Sequence, residues 1–220
     1  MEYTIEGGPA FAHVHVKLSP GESITAESDA MSSMDADLDM KAHLNGGFFP
    51  AIAKRFFGGE SLFVNDFVNN SDGEREVSLV QATPGDVRAV MLEEGQKLYL
   101  QPGAYLGSGG PVHLGVGWAG FKSWIAREGL FRLCVTGPGL VFYGAYGALI
   151  EHEVDGEYIV DTSHLVAYEP QMQLKLQMAG GLISSITSGE GLVTRVEGRG
   201  KIILQSRSMD GLASWVNSKI

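Results

Sequence analysis

Cysteine is nearly absent: Cys134 is the only one in 220 residues. An intramolecular disulfide is therefore excluded, which fits a reducing compartment. Basic residues are also scarce, with 16 Lys and Arg against 26 Asp and Glu and a formal net charge of −10. A protein that grips nucleic-acid backbones normally carries a basic stripe, and the closest thing here is Lys54-Arg55, so nucleic acid is a disfavoured partner. No run of 18 apolar residues occurs, and the most apolar stretch, Leu140 to Ile150, is interrupted by Gly144 and Gly147. No transmembrane helix is expected. The start, Met1-Glu2-Tyr3-Thr4-Ile5-Glu6, is acidic and alternating, unlike a signal peptide. These gaps together predict a soluble, cytoplasmic protein.

Catalytic signatures are missing as well. Gly-x-Ser-x-Gly does not occur, and Gly107-Ser108-Gly109 lacks the strand-then-long-helix context of a nucleophile elbow. The Gly-rich stretches at 107–110 and 115–117 lack the Gly-Lys-Ser/Thr of a phosphate loop. Cys134 lies in the apolar run Leu133-Cys134-Val135, where a small buried hydrophobe is expected rather than a nucleophile.

Glycine, by contrast, is abundant at 30 residues, about twice the usual rate, without a collagen-like period. Many turns between short strands follow. One stretch, Glu128 to Leu140, reads as two strands joined by Gly137-Pro138-Gly139. It has weaker echoes at Gly59-Glu60-Ser61-Leu62-Phe63 and Gly189-Glu190-Gly191-Leu192-Val193. Ahead of each lies a second anchor, an apolar strand, a turn glycine (Gly21, Gly95, Gly156) and another strand. The spacing between the anchors is 38, 32 and 33 residues, from Gly21 to Gly59, Gly95 to Arg127 and Gly156 to Gly189. Two anchors that keep their distance predict a triplicated unit. By simple offset, Asp66 and Val196 stand where Cys134 does. Glu60, Glu128 and Glu190 recur at one position, read as carboxylates that bond the turn backbone.

Between the anchors lie glycine-flanked apolar segments, 45–58, 115–125 and 180–188. They carry Phe48, Phe49, Phe56, Phe57, Trp118, Phe121 and Trp124. The three- and four-residue spacing of Ile52/Phe56 and Trp118/Phe121/Trp124/Ile125 predicts one or two helical turns. A soluble protein must bury such aromatics or use them. They either plug the ends of each β unit or serve as interaction residues, with subunit contacts or a ring lumen weighed ahead of peripheral membrane contact. Lys54, Arg55 and Lys122 would suit a membrane surface, but the net charge opposes attraction to anionic lipid.

Met34 to Met40 alternates strictly and reads as one half-buried strand. Tyr158-Ile159-Val160 reads as more fully buried, and the tail from Asp210, taken as the cap, reads as a short helix. The fold class expected is all-β: three tandem β-sandwich units, double-stranded β-helix-like, with pseudo-threefold symmetry and a short C-terminal helix. They form one compact domain divided 1–85, 86–148 and 149–220.

His13-Val14-His15 puts two imidazoles on one face of a strand, a spacing that metal-binding β-barrels use. The next acid downstream, Glu22, lies beyond a Pro-Gly turn at the wrong distance. Nothing in the sequence pairs His43, His113, His152 or His164 with them. A solvated pair is the preferred reading, and no cofactor is assigned.

Leu18-Ser19-Pro20-Gly21-Glu22, Ala26-Glu27-Ser28-Asp29-Ala30-Met31 and Gly58-Gly59-Glu60-Ser61-Leu62-Phe63, in this order, resemble the altered-inheritance-of-mitochondria family. A later Phe142-Tyr143-Gly144 extends the likeness across essentially the whole chain. The resemblance implies a fold like the tryptophan RNA-binding attenuation protein, in which small β units close into a ring. It also implies tandem units within one chain and assembly of chains; three chains would supply nine units. It carries no catalytic residue across. No Lys or Arg recurs at matched positions to suit RNA on such a ring. The function expected is thus a non-enzymatic scaffold or interaction protein whose partner is itself, as a homotrimer. The alternatives are a small-ligand or RNA-binding ring and, resting on His13 and His15, a cupin-like metalloenzyme.

Overall fold

The computed structural model describes residues 1–44, 63–101, 103–118, 131–178 and 192–219. Among these residues it is all-β apart from one 3-10 turn and a C-terminal helix. A four-stranded sheet has the order β1 (Glu2–Glu6), β2 (His13–Leu18), β7 (Arg75–Val80), β4 (Met31–Met34). A six-stranded sheet runs β5 (Asp39–Leu44), β6 (Phe63–Val68), β3 (Ser23–Glu27), β10 (Tyr105–Gly109), β13 (Gly139–Gly144), β8 (Val87–Leu92). The third sheet runs β11 (His113–Trp118), β12 (Phe131–Thr136), β9 (Lys97–Leu100), β15 (Leu165–Tyr168), β17 (Leu192–Gln205), β14 (Leu149–Asp161). A seventh strand, β16 (Gln173–Met178), also pairs with β17.

Period-two alternation explains how these sheets stack. In β2, Val14, Val16 and Leu18 are buried while the residues between them face outward. They pack with Ile24, Phe67, Leu106 and Phe142 into a first core between the first two sheets. On β13, Leu140 and Phe142 enter that core, whereas Val141 and Tyr143 enter a second one with Leu100, Leu133, Val166 and Ile203. The middle sheet is therefore covered on both faces, and β13 reads as a continuous apolar run for that reason. A third core, with Val154, Val160, Tyr168, Val196 and Ile202, is drawn from the third sheet alone.

Pairing follows one scheme throughout. β7 lies between β2 and β4, and β6 between β3 and β5. β13 lies likewise between β8 and β10, and β12 between β9 and β11. In the last third the same neighbours are fused. One half of β17 lies between Leu149–Val154 of β14 and β15, the other between Glu157–Asp161 and β16. A register shift falls at matching points of β4, β10 and β15, between Met31/Ser33, Tyr105/Gly107 and Leu165/Ala167.

Some local expectations are corrected. Met34–Met40 is not one strand. Asp35 accepts from the Glu76 N–H, the Leu38 N–H bonds Asp35 O, and the chain turns between β4 and β5 with Leu38 buried. Gly21 and Gly95 occupy tight turns at φ of +81° and +72°, as a left-handed position requires. Gly156, at +108°, sits instead inside the unbroken β14, paired with Gly198. Tyr158 and Ile159 are not buried but 37% and 53% exposed. The C-terminal helix, α1 (Met209–Asn217), is capped by Ser208, whose hydroxyl accepts from the Gly211 N–H, and not by Asp210.

Candidate functional site

Two features outside the cores bear on function: the histidine pair on β2, and the edges of β4 and of the outer half of β14, which have no second strand partner among the described residues. Because β2 alternates, His13, His15 and Lys17 share its outward face. β1 pairs with it antiparallel, setting Glu6 opposite His13 and Thr4 opposite His15. The connection depends on Gly7. Its φ is +76°, and a Cβ there would lie 2.3 Å from the Phe11 carbonyl oxygen, while the Phe11 N–H closes the turn onto Gly7 O at 2.9 Å.

His15 Nδ1 is 2.7 Å from Oγ of the buried Ser78, its cross-strand neighbour on β7. His13 Nδ1 lies 3.5 Å from Phe11 O, and its Nε2 lies 3.9 Å from Glu6 Oε2. The two rings meet edge to face, with centroids 4.8 Å apart. One ligand atom from each of Glu6, His13 and His15 lies within 4.8 Å of the others. Among the described residues this is the one group of three metal-competent side chains. The carboxylate that sequence reasoning sought downstream, at Glu22, comes from upstream. The Gly7-Gly8-Pro9 turn between two alternating strands was the available signal.

The other histidines lie elsewhere. His164 Nδ1 is 2.6 Å from Gln205 O, and His152 stacks on Tyr158 with centroids 4.0 Å apart. Cys134 is half-buried opposite Tyr99, with Sγ 3.9 Å from Thr136 Oγ1. Trp118 closes β11 opposite Phe131. Phe48, Phe49, Phe56, Phe57, Phe121 and Trp124 lie outside the described residues, as do Glu60, Glu128 and Glu190.

Sequence reasoning passed over Arg132. Only 3% exposed, it donates from Nη1 to Leu165 O at 3.4 Å, and its Nε and Nη2 find no partner among the described residues. Burial pushes its guanidinium down to about 10, against a smaller opposing pull from Tyr168. An arginine inside Phe131-Arg132-Leu133 gave the only hint.

The edges emerge by comparison. β10 is paired on both sides, by β13 and β3, and β15 is paired by β17 and β9. β4, which shares their register shift, pairs only with β7 among the described residues. Conversely, β3 and β9 each pair on both sides, whereas Glu157–Asp161 of β14 pairs only with β17 among the described residues. Apolar surface is exposed there, on Tyr158 and Ile159, and on α1 at Met209, Leu212, Trp215 and Val216. No helix among the described residues is long and apolar enough to cross a membrane.

Comparison with known proteins agrees with this architecture. An uncharacterised protein of Streptococcus pyogenes serotype M6 is 28% identical over 97% of this chain and 88% of its own length. A crystal structure of a Streptococcus pyogenes protein superposes with a TM-score of 0.79 at 25% identity, covering 100% of this chain and 99% of the other. The model of the mitochondrial biogenesis AIM24 family matches residues 3–207, and the chain belongs to that family.

Proposed function

We propose that the chain is three tandem copies of one β unit and acts as a non-enzymatic, self-assembling scaffold. Neighbouring copies would join through the two open edges into a ring in the cytoplasm, most simply of three chains. The supporting observation is that each open edge is the counterpart of edges that are paired elsewhere in the same chain. β3 of the first unit pairs with β10 of the second, and β9 of the second with β15 of the third. The next pairing in that series joins Glu157–Asp161 of the third unit to β4 of a first unit, which only a second copy supplies.

The register of that contact follows from the two internal ones. Ala26 is opposite Gly107, and Leu100 is opposite Ala167. Their counterparts are Val160 and Ser33, so Val160 of one copy would face Ser33 of the next, and Ile159 would face Met34. The internal equivalent of the second pair is Tyr99 on Tyr168, stacked with centroids 5.0 Å apart. In this alignment Cys134 corresponds to Asp66 and to Arg195, one residue from the Val196 reached by offset.

Static light scattering behind size-exclusion chromatography tests the reading. A discrete oligomer of about three chains at micromolar concentration is expected. A strict monomer removes the proposal's support.

A further inference from the structure

We propose that Glu6, His13 and His15 bind a divalent first-row transition ion of the kind that favours imidazole, such as Zn²⁺. The ligand atoms would be Nε2 of each histidine and a carboxylate oxygen of Glu6. Two imidazoles and one carboxylate form a borderline N₂O donor set suited to zinc, copper or nickel rather than to calcium or magnesium. They also leave positions open to water.

Three observations carry the proposal. First, the ligands come from two strands whose register is fixed: Glu6 and His13 are cross-strand partners, and His15 is two residues along the same face. Second, the Nδ1 atoms are occupied. Phe11 O lies 3.5 Å from His13 Nδ1, and Ser78 Oγ, itself buried, lies 2.7 Å from His15 Nδ1. An outer partner that accepts from Nδ1 leaves Nε2 free to ligate and fixes the ring's orientation. Third, the distances are close to what coordination needs. Bonds of about 2.1 Å at a tetrahedral angle set ligand atoms about 3.4 Å apart. Glu6 Oε2 lies 3.9 Å from His13 Nε2, and one ligand atom from each of the three residues lies within 4.8 Å of the others. Glu6 is 62% exposed at its side chain and so has freedom to close the remaining gap. Lys17, the one lysine of β2, lies 3.3 Å from Glu76 and so has a partner of its own.

The site stands apart from the proposed assembly, because β7 separates β2 from β4. The test is titration of chelator-stripped, tag-free full chain with zinc against a chromophoric competitor. One equivalent per chain is expected, with at least a tenfold loss of affinity in H13Q and in H15Q and about a tenfold loss in E6Q. S78A retains every ligand and is expected to lose about tenfold through the orientation of His15 alone. Unchanged oligomer mass and unchanged apo thermal unfolding show that a weakened variant is folded. Zinc binding by the H13Q/H15Q double variant equal to wild type, or no binding above the competitor by wild type, overturns the proposal. Undiminished affinity in S78A overturns the role given to Ser78.

Discussion

Ile159→Lys isolates the contact on which the scaffold reading depends. Ile159 is 53% exposed on the outer half of β14, and in the proposed register it would meet Met34 of a neighbouring chain. Fully burying an isoleucine side chain stabilises by about 1.5–3 kcal/mol, so covering the exposed half contributes roughly 1 kcal/mol. Lysine forfeits that burial and sets its charge against an apolar partner, raising the loss to about 1.4 kcal/mol per contact, a factor of about ten. A closed ring of three chains contains three such contacts, so its overall dissociation constant should rise about 1,000-fold. Light scattering over a dilution series reads this directly, while urea unfolding of the individual chain should hardly change. A register test sharpens the result. M34C/I159C should give disulfide-linked chains on mild oxidation, whereas M34C/V160C should not, since a one-residue shift turns the second cysteine to the opposite face. Undiminished assembly of I159K, or equal cross-linking of both cysteine pairs, would refute the pairing.

Three further outcomes follow from residues already described. R132M should be more stable than wild type by about 1–3 kcal/mol in urea, because two buried nitrogens without partners disappear with a single 3.4 Å bond; a loss of stability would mean that the guanidinium is held by more than Leu165. Burial raises the Tyr168 hydroxyl to about 12, above the roughly 10 of an unfolded tyrosine. Its contribution is complete below pH 10 and declines as pH rises toward 12, so wild type should fall relative to Y168F by about 1.4 kcal/mol per pH unit across that window. G7A forces a Cβ against Phe11 O at a left-handed φ and should cost about 1–3 kcal/mol in thermal unfolding. The same variant should also weaken zinc binding by moving Glu6 away from His13; wild-type affinity in G7A would separate the turn from the site.

What was legible in the sequence was whatever a single strand determines alone. Val14, Val16 and Leu18 announce a buried face by alternation, and Gly137-Pro138-Gly139 announces the turn between β12 and β13. What failed depended on neighbours. Asp35, Asp37 and Asp39 alternate with apolar residues and so imitate a strand, yet Asp35 spends its carboxylate on the backbone of β7 and makes a turn. Ser208 outcompetes Asp210 as cap because its hydroxyl reaches the Gly211 N–H. Glu6 could not be matched to His13 by spacing, since seven residues of separation become direct opposition only after the hairpin closes. Ile159 is exposed although its strand reads as buried, because an apolar strand looks the same in sequence whether or not its own chain covers it.

That exposure bears on how residues 149–220 differ from the rest of the chain. Where β2 and β3 or β8 and β9 are separate strands, β14 runs unbroken for 13 residues, and β17 for 14. The outer halves of these strands, with β16, form a three-stranded arm beyond the pairing with β15. The arm is not loosely attached: Val160, Thr194 and Val196 are buried, and Lys175 and Arg195 bridge to Glu197 and Glu157. A strand edge held out in this way templates pairing with another chain unless charge, proline or a covering element blocks it. β4, at the other end of the series, is Met31-Ser32-Ser33-Met34, with neither charge nor proline. By contrast β1 lines the outer side of β2 with Glu2, Thr4 and Glu6 exposed, leaving that end of the first sheet acidic. In the proposed assembly the outer half of β14 is offered and β4 receives it, a head-to-tail contact that would either close into a ring or continue as a filament. On that proposal, the unbroken length of β14 and β17 is what would hold the offered edge away from β4 of its own chain.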